Sequence, residues 1–262
     1  MRRKRRSRTG AGGGTQNTGV SLLNSSTVIA NGSGNVTIEG TSGNGSSLNR
    51  GILVTGSGTQ ITSVSGDIRL EGTGGGTSSY NRGIDFASGG TVRTGGDVEM
   101  EGSGTTNGGV KYNSGIYLRQ VLVEGTNVNL TGTGATGSSG HYNRGIDLYF
   151  ARVVGTNLMF RGTGGNGSSY NEGFRMVGGS LSGTLDLVGS ALGTTTGKYN
   201  TGVYFLKANL GLAFGSITGT GGGGVGSNHG IYMQGGVAFG GATTGFAGAG
   251  AGSLAKAGSA FV

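Results

Sequence analysis

The chain has 262 residues, of which 65 are glycine, and it contains no proline, cysteine or tryptophan. A collagen triple helix is excluded, because glycine does not occupy every third position and proline is missing. The lack of cysteine excludes disulfide bonds and thiolate chemistry. The formal net charge is +8, but residues 2–8 hold six of the 19 basic residues, so the remainder has 13 basic against 11 acidic residues. This nearly neutral remainder offers no basic footprint for nucleic acid.

Residues 1–10 form a basic head that we predict to be disordered. Such a head is a candidate nucleic-acid or localisation patch, but it holds no aromatic residue to stack on bases. A solvated tail is therefore the favoured interpretation. No apolar segment of ~7–15 residues follows, so no secretory signal is visible. No run approaches the ~18 apolar residues of a membrane-spanning segment, and none is predicted.

A repeated unit occupies residues 11–233. Each copy contains an Asn-x-Gly step followed by an apolar residue, and the copies are 28–32 residues apart. The steps begin at Asn17, Asn49, Asn81, Asn113, Asn143, Asn171, Asn200 and Asn228. Periods of this size indicate a solenoid or another repeat array. A flexible Gly/Ser/Thr-rich linker is the alternative, but such a linker has no need of a fixed register.

Each unit divides into three short apolar-alternating segments and one loop. In the third full unit these are 83–86, 91–93 and 97–102, and a Gly/Ser-rich stretch leads to the next Asn-x-Gly. Alternation with period two predicts strands with one buried face. The pattern predicts an all-β fold, a single-stranded right-handed parallel β-helix of about eight coils with three short strands each. A β-propeller ranks lower, because its blades have four strands and ~40–45 residues.

Residues 234–262 break the pattern with a Gly/Ala-rich sequence. We predict a partial coil or a disordered tail there. Solenoids need capped ends, and neither end shows a recognisable polar cap. The chain is therefore interpreted as a piece of a longer repeat protein, stacked end to end with further repeats.

The Asn-x-Gly step is predicted to form a corner of the coil. Glycine accepts positive φ and asparagine tolerates the left-handed region, so we expect these two residues to make the turn. In register, the asparagine amides would hydrogen-bond along a column, and the preceding tyrosines would stack beside them. A structural ladder is preferred to a ligand-binding stripe, because the turn already requires these residue types. The predicted ladder consists of Asn49, Asn81, Asn113, Asn143, Asn171, Asn200 and Asn228 with Tyr80, Tyr112, Tyr142, Tyr170 and Tyr199.

The second residue after the glycine varies between units and is predicted to face outward. Tyrosines at this position can stack on sugar rings, although aromatic and charged residues often simply occupy an exposed strand face. The candidates for contacting a ligand are Asp85, Tyr117, Asp147, Arg175, Tyr204 and Tyr232.

No catalytic, metal-binding or cofactor-binding residues are predicted. Glycoside hydrolysis needs two carboxyl groups ~5–9.5 Å apart, and the candidate pairs are Asp85 with Asp147, Asp67 with Asp97, and Glu71 with Glu101. The first pair lies two coils apart, and the other two are interpreted as a cation site or as screened surface charges. His141 and His229 lack the spacing of zinc ligands. Neither a P-loop nor a calcium-binding nonapeptide is present.

The repeats resemble those of large bacterial surface proteins of the filamentous-haemagglutinin-like and autotransporter-adhesin type. The resemblance rests on Gly-Asp-Val-Glu-Met-Glu-Gly at 96–102, Gly-Thr-Gly-Gly at 72–75 and 162–165, and the Asn-x-Gly-apolar step. It covers residues 11–233. It implies an exported, non-catalytic β-helical stalk, extracellular or at the cell surface, that acts in adhesion or biofilm formation. Its expected partners are host-surface or matrix glycans or proteins.

The alternative is a carbohydrate-binding or carbohydrate-cleaving β-helix, such as a lyase or a tailspike-like module. An enzyme of this kind should interrupt the repeat with a long, charged insertion at its site. No coil of this sequence carries such an insertion. The adhesive stalk is therefore the leading hypothesis.

Overall fold

The structure, a computed structural model, describes residues 4–9, 13–105, 111–136, 140–194, 197–240 and 244–250. All regular secondary structure in these ranges is β-strand. In chain order the strands are β1 (Lys4–Thr9), β2 (Thr18–Leu23), β3 (Thr27–Ala30), β4 (Val36–Thr41), β5 (Arg50–Thr55), β6 (Gln60–Ser63), β7 (Ile68–Thr73), β8 (Arg82–Ser88), β9 (Thr91–Arg93), β10 (Val98–Ser103) and β11 (Ile116–Arg119). They continue as β12 (Leu122–Glu124), β13 (Asn127–Thr133), β14 (Ile146–Tyr149), β15 (Arg152–Thr163), β16 (Phe174–Val177), β17 (Ser180–Ser190), β18 (Val203–Leu206), β19 (Asn209–Thr220), β20 (Ile231–Gln234), β21 (Ala238–Phe239) and β22 (Thr244–Ala249).

The strands form two parallel sheets that wrap around one core, which confirms the predicted β-helix. The first strands of the coils form an eight-stranded sheet in the order β2-β5-β8-β11-β14-β16-β18-β20. The second and third strands form a 14-stranded sheet. Eight stacked strands give seven coil-to-coil steps, so the solenoid has about seven turns rather than eight coils.

Equivalent residues of successive repeats lie side by side. Ile84 pairs with Ile52 on one neighbouring strand and with Ile116 on the other. The inward column therefore consists of like apolar side chains, and Ile52, Ile84 and Ile116 are all fully buried. Burying one such side chain stabilises a fold by about 1.5–3 kcal/mol. A single coil has no partner for this face, so the stacking itself creates the core.

The prediction of three short strands per coil is wrong for the later coils. From β15 onward the second and third strands join into single strands of 12, 11 and 12 residues. The register between β15 and β17 shifts between Val154 and Asn157. A β-bulge of this kind bends a strand without ending it. The corner between the two strands is thereby absorbed into the strand, in coils that span 28–29 residues instead of 32.

The glycine of each Asn-x-Gly step is required by close packing and not, as predicted, by positive φ. A Cβ on Gly83 would lie 2.4 Å from the Ser103 nitrogen and 2.6 Å from the Gly72 oxygen. A Cβ on Gly72 would lie 2.2 Å from the Gly83 oxygen. Two glycines therefore face each other at the neck of the loop. The left-handed conformation belongs to the residue before the asparagine, such as Tyr80 with φ of 63°.

The two ends of the described chain add strands to the solenoid. Lys4–Thr9 pairs in parallel with Val36–Thr41, whereas residues 1–10 were expected to be disordered. Strand pairing uses backbone groups at an open sheet edge, so the charge of this segment does not prevent it. Residues 1–3 and 10 lie outside the described residues. At the other end, β21 and β22 both pair with β19 and form a partial coil, and residues 251–262 lie outside the described residues.

Candidate functional site

A ladder of buried asparagines runs along the corner where each loop enters the first strand. Each Oδ1 atom accepts a hydrogen bond from the backbone N–H of the asparagine one coil earlier. These N–Oδ1 distances are 2.8–3.1 Å over all seven steps from Asn17 to Asn228. The asparagines from Asn49 onward are fully buried. Because a buried N–H without a partner is costly, the amide oxygen acts as the backbone acceptor that the corner otherwise lacks.

The asparagine Nδ2 groups add a second set of bonds. The amides of Asn17, Asn49, Asn113 and Asn171 donate to the next Oδ1 over 2.8–3.2 Å. Asn81 instead donates to the carbonyls of residues 46 and 78 in the loops, over 3.2 and 2.9 Å. The ladder therefore holds the loops as well as the strands.

The tyrosines beside this ladder stack on one another. The ring centroids from Tyr80 to Tyr199 are 4.9–5.0 Å apart and the ring planes differ by 5–17°. Within this tyrosine column each inner ring has both faces against a neighbouring ring. The column therefore presents ring edges and hydroxyls to solvent, which is a poor surface for stacking a sugar.

The outward carboxylates are covered by arginines, which corrects the expectation that Asp85 and Asp147 face a ligand. Asp85 is fully buried, paired with Arg50 and with Arg82 at 3.0 Å. Asp147 is 3% exposed. It pairs with Arg144 at 3.1 Å and with Arg175 at 2.9 Å.

A second carboxyl group, Glu172, also contacts Arg144, with 2.6 Å between Oε2 and the arginine Nε. Burial raises the pKa of Glu172, and the attraction of Arg144 only partly offsets this effect. Burial also acts to raise the pKa of Asp147, but Arg144 and Arg175 outweigh it, so that the pKa lies below the ordinary value. Arg144, Arg175, Asp147 and Glu172 form what we call the buried charge network.

A groove of about 360 Å³ lies over this network. Its lining includes the tyrosine column from Tyr142 to Tyr199 together with Arg144, Glu172 and Arg175. In the same lining, Tyr204 stacks on Tyr232 with 5.5 Å between the ring centroids, and Tyr232 stacks on His229 at 5.1 Å. The Tyr204 hydroxyl lies 3.3 Å from Oε1 of Gln234 and donates to it.

Three of the six outward candidates, Arg175, Tyr204 and Tyr232, therefore meet in this groove. Tyr117 lies elsewhere, with the Arg82 guanidinium 3.9 Å above its ring centre. Sequence reasoning missed His229 and Ser227 as groove residues. The repeat pattern could have identified both residues. His229 occupies the x position of its Asn-x-Gly step, and Ser227 occupies the position that holds a tyrosine in earlier coils.

A second ladder follows the corner before the third strand, and we call it the Asx ladder. Asn35 Oδ1 accepts the N–H of Asp67 at 2.9 Å, and Asp67 Oδ1 accepts that of Asp97 at 3.0 Å. Asp97 Oδ1 accepts the N–H and the amide of Asn127 at 3.1 and 2.8 Å. Sequence reasoning treated Asp67 and Asp97 as a carboxylate pair and missed the ladder, although Asn35 and Asn127 occupy the same repeat position.

On the third-strand face, Arg69 binds three glutamates. It lies 3.2 Å from Glu71 and 3.3 Å from Glu101, and it also pairs with Glu99. These four residues form what we call the exposed charge network, since their side chains are 36–51% exposed. Nowhere in the described ranges do three or more His, Asp or Glu side chains come together in a way that could hold a metal ion.

A comparison with protein-family models, curated proteins and solved structures finds no match for this chain. Among the residues that the structure describes, there is also no helix with the length and apolar character needed to cross a bilayer.

Proposed function

We propose that the protein is a structural and adhesive β-helical segment of a bacterial cell-surface or secreted protein, without catalytic activity. The observation that carries this proposal is the uninterrupted asparagine ladder, which passes through seven coil steps without an insertion. A solenoid of this kind is a rod whose repeats contact only their neighbours. Its surface suits contact with glycans or proteins outside the cell, and its sheets suit continuation by further repeats.

The use of the charged side chains supports a non-catalytic role. A glycosidase needs two carboxyl groups that reach the substrate. Asp85 and Asp147 are instead covered by two arginines each. The charges stabilise the coil stack and leave these carboxylates without access to a ligand.

The test is a polysaccharide panel measured in two ways, by retention of the protein on the insoluble polymer and by release of reducing ends. We expect retention on at least one polymer and no release of reducing ends. Release of reducing ends that disappears in Asp85→Asn or Asp147→Asn would overturn the proposal. Circular dichroism of each variant checks that the fold is intact.

A second candidate is a carbohydrate-cleaving enzyme, and Glu172 is the observation that favours it. A carboxyl group with a raised pKa in a groove is a typical general acid. Against this role, its Oε2 accepts a hydrogen bond from Arg144 and its side chain is only 8% exposed. In the assay above, turnover that is lost in Glu172→Gln identifies the enzyme.

A further inference from the structure

The last ring of the tyrosine column is Tyr199, and no further tyrosine covers its second face. Tyr199 stacks on Tyr170 through its other face, with 4.9 Å between centroids and 17° between planes. The next position of the column is Ser227, which has no ring. At the opposite end, the position beside Tyr80 holds Leu48, whose branched side chain is half-buried. The two ends of the column therefore differ in the space beside the last ring.

This open position lies inside the groove. Tyr199, Ser227, His229 and Tyr232 all line it, and its volume of about 360 Å³ falls within the ~300–1,000 Å³ of small-molecule sites. A flat ring placed beside Tyr199 would continue the column at the same spacing of about 4.8 Å, which is the distance between neighbouring coils.

The groove surrounds this position with hydrogen-bonding groups. The lining includes Ser227, Tyr232 and Gln234, and each of these side chains carries a hydrogen-bonding group. Arg175 uses Nη1 to bind Asp147, and its side chain lines the groove and is 20% exposed. An apolar ring face bordered by donors and acceptors is the complement of a pyranose, which has C–H groups on its faces and hydroxyls around its rim.

The local charge favours a neutral ligand. The two arginines of the buried charge network are matched by its two carboxylates. No uncompensated positive charge of this network remains to attract a uronate, a sulfate or a phosphate.

We propose that the groove binds a neutral oligosaccharide, with one pyranose ring stacked on the open face of Tyr199 in the place of the missing tyrosine. The inference rests on the adhesive part of the proposed function. It adds a location, a chemical class and an orientation in which the sugar ring lies parallel to the tyrosine rings.

The test is a titration of the full chain with cellotetraose, maltotetraose and chitotetraose. Saturation-transfer NMR reports contact, and tyrosine emission reports stacking, since the chain has no tryptophan. We expect at least one tetrasaccharide to bind. Tyr199→Ala should weaken this binding about tenfold or more, which corresponds to about 1.4 kcal/mol.

Two further variants make the result specific. Tyr80→Ala, at the Leu48 end of the same column, removes an equivalent ring and is expected to bind the sugar as the wild type does. Ser227→Tyr fills the open position without removing any stacked ring, and it is expected to abolish binding. If Tyr199→Ala does not fold, Ser227→Tyr decides the question.

The proposal is overturned if none of the three sugars binds, if Ser227→Tyr binds as well as the wild type, or if polygalacturonate binds where the neutral sugars do not. These results would not by themselves overturn the proposed function, because retention on the polysaccharide panel and release of reducing ends are measured separately. Conversely, turnover by a chain whose sugar binding still depends on Tyr199 overturns the non-catalytic role alone.

Discussion

Two corners of each coil use the same chemistry at different depths. At the loop corner, the asparagine ladder is fully buried from Asn49 to Asn228. At the corner before the third strand, the Asx ladder is exposed at Asp67 and Asp97. In both ladders a side-chain oxygen accepts the backbone N–H of a neighbouring coil. The acceptor belongs to the later coil in the first ladder and to the earlier coil in the second.

The two charge networks differ in the same way. Side chains of the buried charge network, around Arg144, are 4–20% exposed, whereas those of the exposed charge network, around Arg69, are 36–51% exposed. A buried charge that loses its partner is left in a medium that solvates it poorly, while water replaces the partner of an exposed charge. The burial of a side chain, rather than its residue type, therefore determines how much each contact contributes to the stability of the coil stack.

The largest difference is expected between Arg144→Met and Arg69→Met. The first substitution leaves Asp147 and Glu172 buried without Arg144, and removing one partner of a buried pair costs about 3–5 kcal/mol. The second is expected to cost less than about 1 kcal/mol, as for other exposed ion pairs. Urea unfolding followed by circular dichroism measures both. Equal losses for the two variants would show that the networks do not differ in depth as described.

The two ladders provide the next comparison, Asn113→Ala against Asn127→Ala. Asn113→Ala removes the acceptor of the buried Asn81 N–H, which lies 2.8 Å from Oδ1. An unsatisfied buried group costs about 1–3 kcal/mol. Asn127 is half-buried and its side-chain hydrogen bonds are exposed to water, so we expect that loss to stay below about 1 kcal/mol. The same unfolding measurement checks this, and a larger loss for Asn127→Ala would contradict it.

The pH dependence of stability is a smaller effect that also separates the networks. The pKa of Glu172 is raised in the folded state, so the folded protein binds this proton more tightly than the unfolded chain, where Glu titrates near 4.3. Stability then falls as pH rises through the unfolded value towards the folded pKa. Glu172→Gln lacks this loss, so its stability relative to the wild type should increase as pH rises above about 4.

Asp147 contributes with the opposite sign. Its pKa is lowered in the folded state, so its stabilising effect is complete above about 3.9 and is lost as pH falls through the folded pKa. Unfolding at a series of pH values measures both effects. Glu101→Gln, in the exposed charge network, is the matched control. The free energies of unfolding of Glu172→Gln and of the wild type are then compared at each pH. If their difference does not change with pH, the result contradicts the buried position of Glu172.

The fold could be predicted because its signal is local and repeated. Ile84 and Phe86 alternate with polar neighbours, and equivalent pairs occur in every unit, so the strands and their register follow from the sequence alone. The sequence does not predict the joined strand β15, because a bulge changes the path of a strand without changing its apolar alternation. The sequence does not predict strand β1 either, since Lys4–Thr9 shows no such alternation.

The site was less predictable because its geometry depends on residues of different coils. Asp85 looks like an exposed residue of a strand face, but its cover includes Arg50, which lies 35 positions earlier. Tyr80 takes a left-handed conformation that tyrosine rarely adopts, and glycine was the expected residue for that turn. The place of Ser227 after Tyr199 in the column can be read from the repeats, but the groove that it lines together with Arg175 and Tyr232 cannot.

The smallest effect is expected for Asp97→Asn, and it decides what the exposed carboxylates do. Asparagine keeps the Oδ1 acceptor that binds the Asn127 N–H at 3.1 Å, and the Asx ladder already contains asparagine at Asn35 and Asn127. If Asp97 serves as a backbone acceptor, the substitution should change the free energy of unfolding by less than about 0.5 kcal/mol, as for other surface changes. If Asp67 and Asp97 instead hold a cation, calcium should stabilise the wild type and not the variant. Thermal unfolding with and without calcium distinguishes the two, and we expect the four curves to coincide.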